Sequence, residues 1–270
     1  MGRIALAGLP FFVMGGLIAA MLVSIEFGYR TGLRRRARSP ETTRALSPVV
    51  KASVFGLMGL LIAFTFAGAG VRFDNRRMLI AEEANAIEKA YFRLDLLPPE
   101  SQPQLREDFR AYVRGRLAVT RNLPNMEAVN ADLKQLSTLQ GKIWEEAADA
   151  TKGSSSPATQ MLVLSALNEM MDAATRRTVG IISHLPLLVW VLLVLTVLLG
   201  SFLTGYSMSM SRARDWLSGI IFAIVISSAI YVTFDYEYPR AGLIRVDVVD
   251  QLLVQTLERM EVPVPTTSVR

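Results

Sequence analysis

Residues that usually catalyse reactions or bind metals are scarce in this sequence of 270 residues. It contains no cysteine and a single histidine, His184. Thiol nucleophiles, disulfides, thiolate metal sites and imidazole-rich metal centres are therefore excluded. Gly68 and Gly70 do not form a dinucleotide-binding motif, because no predicted strand precedes them and Phe73 stands where a third glycine belongs. We find no catalytic constellation, so we expect no enzymatic activity, no cofactor and no bound metal.

The charges that could bind a ligand follow one another on a predicted helix after residue 72. Glu83 lies one turn from apolar residues on either side, so we expect it to lean into the protein. A buried carboxylate needs a partner, either Arg76 two turns earlier or a group from another helix. Residues on the wetter side are Glu82, Asn85, Lys89 and Arg93. Two interpretations stay open: these charges belong to a solvated, salt-bridged helix, or they line a vestibule or cation site. A Ca²⁺ site made of carboxylates alone would lack any recognised ligand spacing.

Two faces of the apolar segment before these charges differ in composition. One carries small residues at spacings of three and four, so another helix can approach closely along it. These helix-packing candidates are Gly56, Gly59, Ala63, Ala67 and Gly70. The other face presents Phe55, Ile62 and Phe66, which we predict to line a pore, because a repeated apolar ring around an oligomer axis can gate by dewetting. The alternative is that these three side chains face lipid or neighbouring helices.

Membrane-spanning helices are needed to position these residues. Apolar residues make up 51% of the chain. Four runs lack any formally charged residue, at 4–23, 52–71, 185–203 and 217–234. About 20 helical residues, at about 1.5 Å each, cover the ~30 Å hydrocarbon core of a bilayer. We therefore predict four transmembrane helices.

Arginines around the first span indicate its processing and orientation. Most of the positive charge follows the first apolar run, which indicates an uncleaved anchor rather than a signal peptide. Residues 24–51 hold seven lysines and arginines against two glutamates, and residues 205–216 carry Arg212 and Arg214. Because short basic loops stay in the cytoplasm, we predict that the amino terminus and the helical domain lie outside the cytoplasm. The residues that argue against this orientation are Arg72, Arg76 and Arg77.

The segment between the second and third spans shows helical periodicity throughout. The second span is expected to continue as an amphipathic helix to Leu97, before two prolines. Further helices are predicted at 102–119, after Pro124, and after Pro157 towards His184 and the third span. Short connections between amphipathic helices favour an antiparallel bundle. A brief amphipathic stretch in the tail, with Val249, Leu252, Leu253, Leu257 and Met260, packs on this bundle or on a neighbouring subunit.

The predicted fold is therefore an all-α membrane protein with four transmembrane helices and an antiparallel helical bundle inserted between the second and third spans. Its predicted segments are transmembrane helix 1 (1–23), a basic cytoplasmic loop (24–51), transmembrane helix 2 (52–71), the extramembrane bundle (72–184), transmembrane helix 3 (185–206), a short cytoplasmic loop (207–216), transmembrane helix 4 (217–234) and a C-terminal tail (235–270).

Two stretches resemble the bestrophin-like domain family. The first combines LIAFTF at 61–66, the pair Arg76 and Arg77, EEANAI at 82–87 and YFRLDLLP at 91–98; the second is DYEYPRAGLIRV at 235–246. The resemblance implies a four-span bacterial or plant membrane protein with a likeness to bestrophin anion channels. We accordingly expect a multi-pass protein of the bacterial inner (plasma) membrane. Many members have phenylalanine where this chain has Arg240. The polar and turn positions implied by the family motifs are Arg76, Glu83, Asn85, Arg93, Asp235, Pro239 and Gly242.

The leading functional hypothesis is an oligomeric, bestrophin-like channel that conducts ions. The four apolar runs carry no formal charge, which disfavours a proton-relay pump but is compatible with a passive pore. Its expected partners are the lipid bilayer, further copies of the chain and ions, with no nucleic acid. The alternative is a non-conducting envelope sensor or scaffold whose bundle binds a partner. A membrane enzyme comes third, because it would need a polar pocket around Glu83 and Arg76.

Overall fold

The computed structural model describes residues 2–38, 48–123, 125–152, 156–211, 215–239, 243–244 and 247–261. Over these ranges it contains helices joined by short connections and no β-strand, which confirms the predicted all-α fold. The α-helices are α1 (Gly2–Arg38), α2 (Pro48–Arg93), α3 (Gln102–Asn122), α4 (Met126–Lys152), α5 (Pro157–Ile182), α6 (Leu187–Ser211), α7 (Trp216–Glu237) and α8 (Asp247–Glu261). A 3₁₀ turn, Leu94–Leu96, follows α2.

The chain divides into two compact units. The membrane unit comprises Met1–Phe73 and His184–Ile244, and the bundle unit comprises Asp74–Ser183 and Arg245–Arg270. Within the described residues, four helical stretches are long and apolar enough to cross a membrane, as predicted. They are Phe11–Arg38, Pro48–Leu96, Pro157–Met210, which covers α5 and α6, and Trp216–Glu237.

The membrane unit has a small apolar core and a large apolar surface. All four of its helices contribute to the core, which contains Leu17, Met21, Met58, Leu193, Val197, Ala223 and Ile230. On the outside, Phe12 is 79% exposed and Leu187 is 77% exposed. Apolar side chains on this surface carry no penalty in a bilayer, because lipid tails are as apolar as leucine.

Helices α1 and α6 pack so closely that their backbones are in contact. A Cβ added to Gly28 would lie 2.1 Å from the carbonyl oxygen of Phe202, and one added to Gly205 would lie 1.8 Å from that of Ile25. Only glycine fits at either position. Ser24 Oγ also donates a hydrogen bond of 2.8 Å to the carbonyl oxygen of Leu198. Glycines thus let two spans pack without intervening side chains.

Helix α1 continues well past the first apolar run, through residues predicted as a cytoplasmic loop, and ends at Arg38. Helix α2 begins at Pro48, so the predicted loop is helical at both ends. Packing of Gly32 against Ser209 of α6 supports the extension, since a Cβ at Gly32 would lie 1.9 Å from Ser209 Oγ. Arginines in the last turn, Arg35, Arg36 and Arg38, favour it further by complementing the negative end of the helix dipole.

The bundle unit is built around one apolar core. The second half of α2, with α3, α4, α5 and α8, supplies residues that include Ile87, Leu105, Phe109, Tyr112, Val113, Ile143, Leu167, Met170 and Leu253. The predicted helix after Pro157 was expected to run towards the third span. It ends instead at Ile182, and residues 183–186 are not helical. Pro186 explains the interruption, because the residue before a proline is disfavoured in the α conformation.

Helix α8 packs on the bundle of its own chain, which is one of the two arrangements expected for the tail. Leu253 is fully buried and Met260 is 2% exposed. The carbonyl oxygen of Met260 accepts hydrogen bonds from Tyr91 Oη at 3.1 Å and from Arg110 Nε and Nη2 at 3.1 and 3.0 Å. These donors satisfy a carbonyl that has no partner within its own helix at the C-terminus.

Candidate functional site

The three predicted pore-lining residues of α2 have different surroundings within one chain. Phe55 and Ile62 are partly buried and pack against the core of the membrane unit. The ring of Phe55 contacts Phe222 edge-on, with 6.0 Å between ring centroids. Phe66 is 43% exposed, and its ring lies 5.7 Å from that of Tyr236. Of the three, Phe66 therefore has the side chain most available to a pore or a second subunit.

The small-residue face of α2 is open in the single chain. Its members, Gly56, Gly59, Ala63 and Ala67, are all exposed. A Cβ added to Gly56, Gly59 or Gly70 would meet no atom within 4 Å. Within the described part of the chain, this face therefore has no helix packed against it. The face is therefore available to lipid or to another molecule.

A polar cluster lies at the ends of three apolar runs of the membrane unit. Glu237, at the end of α7, has no exposed surface. Its Oε2 accepts a hydrogen bond of 2.9 Å from Arg72 Nε on α2, and its Oε1 accepts one of 2.8 Å from the backbone N–H of Leu185. His184 Nδ1 lies 3.5 Å from the same Oε1. The buried carboxylate thus links α2, α7 and the start of the third span.

The single histidine also has an aromatic neighbour. The ring of His184 stacks on Tyr238, with 4.9 Å between centroids and 24° between planes. Its side chain is 38% exposed. The histidine is therefore partly exposed and also lies beside the buried Glu237.

The family-motif residues near the end of α7 form a turn. Asp235 is 1% exposed, and its Oδ2 accepts hydrogen bonds of 2.9 and 3.0 Å from the backbone N–H groups of Leu243 and Ile244. Pro239 lies in this turn and is partly buried. Gly242 lies outside the described residues. Asp235 thus fixes the direction in which the chain leaves the last span.

Glu83 lies at the centre of a buried ionic cluster in the bundle unit. It has no exposed surface, and its Oε1 lies 2.5 Å from Arg116 Nε on α3. Its Oε2 accepts a hydrogen bond from Arg177 Nη1 on α5. Arg177 Nη2 donates a hydrogen bond of 2.8 Å to Thr120 Oγ1 and lies 3.5 Å from Asp250 Oδ1 on α8. Of the two partners considered for Glu83, groups from other helices are the ones present.

The other motif residues of α2 lie outside this cluster. Arg76 donates from Nε to the carbonyl oxygen of Gly180 at 3.1 Å, and from Nη2 to that of Ser183 at 2.7 Å, so it caps the end of α5. Asn85 is exposed, as expected. Arg93 is partly buried, and its Nη1 donates to the carbonyl oxygen of Leu162 at 2.6 Å.

Arg116 and Arg177 were not selected from the sequence, although a signal for them exists. Arg116 falls on the buried stripe of α3, one turn after Tyr112 and Val113, and Arg177 falls one turn after the buried Ala173 and Ala174 of α5. A charged residue in register with an apolar face is expected to be buried and paired. Among the described residues, no group of three or more histidine, cysteine, aspartate or glutamate side chains could hold a metal ion.

Residues 17–250 match the family model described as the Bestrophin-like domain. The fold is similar to solved structures of a bacterial bestrophin homologue from Klebsiella pneumoniae. For one variant of that protein the TM-score is 0.68 at 13% identity, covering 90% of this chain and 98% of the other. For a second variant it is 0.68 at 14% identity, covering 92% and 96%. No curated protein matches the sequence.

Proposed function

We propose that this chain, which belongs to the Bestrophin-like domain family, is one subunit of an oligomeric ion channel, with α2 beside the conduction axis. The chain is a multi-pass membrane protein. The observation that carries the proposal is the asymmetry of α2. One face packs into its own protomer through Phe55 and Ile62, whereas the face with Gly56, Gly59 and Ala63 is open.

An open small-residue face on a membrane span suits association between copies of the chain. Small side chains let helix backbones approach closely, and van der Waals packing then drives association in lipid. Copies related by rotation would bring several α2 helices around one axis. Phe66, exposed near the end of the apolar run, would contribute one ring from each copy to an apolar constriction.

The charge distribution along α2 supports a passive pore. Residues 52–71 carry no formal charge, and Arg72, the first charged residue after them, is held by Glu237. A pore lined by apolar side chains and hydroxyl groups needs no charge within the membrane, whereas a proton relay does. The expected conduction path is therefore apolar, with charged groups only at its two ends, Lys51 and Arg72.

The proposal is tested by planar-bilayer recording of the purified, reconstituted protein under an asymmetric salt gradient. We expect reproducible unitary currents whose reversal potential gives the ion preference. A denatured sample serves as the control. Silence over a range of voltage, pH and Ca²⁺ concentration would reject conduction.

The role of Phe66 is tested by comparison with another exposed phenylalanine of α2. Phe66→Ala is expected to change unitary conductance at least twofold, because it removes an apolar ring from the constriction. Phe64 is 67% exposed and lies about 200° away around the helix, so Phe64→Ala is the matched control and should leave conductance unchanged. Equal currents from the Phe66→Ala variant and the wild type would remove this residue from the gate.

A second candidate function, partner binding by the bundle, is favoured by one exposed apolar patch. Phe92 and Leu96 are 53% and 47% exposed, and Met161 and Leu162 are 70% and 41% exposed. The hydrogen bond from Arg93 to Leu162 holds these two segments together. Patches of this kind often mark interaction sites. Silent bilayers together with association lost in a Met161→Ser variant would favour a scaffold.

A further inference from the structure

The exposed apolar face of α1 continues past the apolar run as a row of arginines. At about 100° per residue, Val23, Phe27, Arg30, Arg34 and Arg38 lie within about 80° of one another around the helix. The first two side chains are 69% and 62% exposed. The three arginines are exposed as well. Because α1 is helical to its last arginine, the apolar stripe and the arginines form one continuous surface.

The positive charge of this surface is not balanced within α1. The one acidic residue of the helix, Glu26, accepts a hydrogen bond of 2.6 Å from Arg30 Nε. Among the described residues, Arg34 and Arg38 have no ion-pair partner. Helix α6, which packs along α1, contains no acidic residue. Arg36 lies on the opposite side of the helix, where its Nη1 donates to a backbone oxygen of α6 at 3.4 Å. The outward-facing arginines are therefore available to an anionic partner.

The positions of the arginines along the helix axis match the headgroup layer of a bilayer. At about 1.5 Å per residue, Arg30 and Arg34 lie about 4.5 and 10.5 Å beyond Phe27. The polar layer on each side of a bilayer is roughly 5–8 Å thick. The Cα–Cβ bonds of a helix tilt towards its N-terminus, which for α1 is the direction of the apolar run, so the arginine side chains lean back towards this layer. Lipids whose acyl chains contact Val23 and Phe27 would thus have their phosphates beside the arginines.

We propose that this arginine row, Arg30, Arg34 and Arg38, binds the phosphate groups of anionic phospholipids in the leaflet where α1 ends. A guanidinium group donates paired hydrogen bonds to phosphate oxygens and keeps its charge at neutral pH. A zwitterionic headgroup carries a cationic group that the arginines repel, so lipids of net negative charge are preferred. The surface depends neither on ion conduction nor on the side of the membrane at which α1 ends.

The test measures which lipid lies beside Phe27 in the full-length protein, reconstituted in vesicles of phosphatidylcholine and phosphatidylglycerol. Because the chain has no cysteine, Phe27→Cys carries a single fluorophore. In two parallel samples, one lipid or the other carries a nitroxide quencher on its acyl chain. The ratio of quenching by phosphatidylglycerol to quenching by phosphatidylcholine is expected to be at least about 3 in about 50 mM salt, and to fall towards about 1 in about 500 mM salt as the charges are screened.

A fluorophore on another helix controls for the average lipid composition around the protein. Val225 of α7 is 59% exposed. It lies at a depth similar to that of the α1 stripe, because Ser227 Oγ of the same helix donates to Met21 Sδ of α1 at 3.4 Å. The quenching ratio at Val225→Cys should stay near that of the bulk lipid. An equal ratio at positions 27 and 225 would overturn the proposal.

Two pairs of charge variants test whether the arginines cause the enrichment. Arg34→Gln combined with Arg38→Gln should lower the ratio at position 27 to the value at position 225. Arg114→Gln combined with Lys134→Gln removes two positive charges from exposed positions of the bundle and should leave the ratio unchanged. A ratio unaffected by the substitutions in α1 would overturn the assignment to the arginine row.

Other occupants of this face give different results. Weak quenching by both lipids at position 27 would mean that another subunit covers the face, and would overturn lipid binding there. Inorganic phosphate added at constant ionic strength should leave the ratio unchanged. Loss of the enrichment in phosphate would assign the arginines to a free anion and overturn the proposal.

Discussion

Glu83 is a carboxylate without exposed surface that faces two guanidinium groups on two other helices. The Glu83 carboxylate is therefore expected to contribute more to the stability of the bundle than either arginine, because both cations lose a partner when it is removed. The cluster is also closed to solvent, since Arg116 and Arg177 are 2% and 3% exposed. A site of this kind cannot contact a dissolved substrate, which disfavours the enzyme hypothesis built on Glu83.

Replacing Glu83 is therefore expected to destabilise the bundle strongly. Glu83→Gln removes the charge that compensates both arginines and should cost about 3–5 kcal/mol of unfolding free energy. Chemical unfolding in detergent measures this loss. Glu82→Gln is the matched control, because Glu82 is 53% exposed and lies 3.7 Å from an equally exposed Arg176; it should cost less than about 0.5 kcal/mol. A loss in Glu83→Gln no larger than in the control would contradict a buried ionic role.

Glu146 offers a pH test at a second position. Burial raises the pKa of its carboxyl, and the charge of Asp108 raises it further, while Lys142, 3.6 Å away, opposes them. A carboxyl whose pKa is raised by folding favours the folded state below its unfolded pKa, and this contribution is lost as pH rises through the folded pKa. Ionised Glu146 is therefore unfavourable at neutral pH.

Glu146→Gln is thus expected to raise Tm at pH 7 by about 1 °C, with the difference vanishing in acid below about pH 4.5. Thermal melts across pH 4 to 8 measure this. Glu145→Gln, at an exposed neighbouring position, controls for the loss of one negative charge. A lower Tm for Glu146→Gln at pH 7 would mean that the contact with Lys142 outweighs burial.

At the scale of elements, the packing of α1 on α6 is the most constrained contact of the membrane unit. Gly205→Ala would place a methyl group 1.8 Å from a backbone oxygen of α1, and neither backbone can yield without separating the helices. We expect a loss of folded protein, or a fall in Tm of more than about 5 °C. Size-exclusion profiles and thermal melts in detergent measure this.

The control for that experiment is another glycine of α1. A Cβ at Gly16 would meet no atom within 4 Å, so Gly16→Ala should be neutral or slightly stabilising because alanine favours helix. Equal effects of the two substitutions would show that helix propensity, and not the contact between α1 and α6, determines the result.

Periodicity and hydropathy predicted most elements, and the misses have physical reasons. The bundle helices were visible because a soluble helix must alternate apolar and polar faces, as at Leu105, Phe109 and Tyr112. The extension of α1 to Arg38 was not visible, because its support comes from Ser209, which is distant in sequence. The partners of Glu83 were missed for the same reason. Ion pairs between helices depend on tertiary packing, which no local pattern encodes.

At the scale of the whole molecule, the orientation in the membrane stays a prediction. The absence of cysteine allows single reporter cysteines at Ala37 of α1 and Ser137 of α4, which are both exposed. Positive charge around 24–51 predicts that Ser137→Cys is labelled from outside the cell and Ala37→Cys is not. Membrane-impermeant maleimide on intact cells, with lysed cells as the control, measures this. Labelling of position 37 alone would show that the orientation is the reverse of the predicted one. The arginines after the second span would then have the larger influence on orientation.

The order of synthesis gives the glycine contact of the membrane unit a further consequence. Gly28 leaves the ribosome roughly 180 residues before its partner segment around Gly205, which at about 5–20 residues per second is about 10–35 s. During this interval α1 lies in the bilayer, or against the insertion machinery, and lipid covers the helix face that carries Gly28. Docking of α6 must then displace that lipid. Premature termination within this interval would release a fragment whose Gly28 face is open to the α6 of another copy.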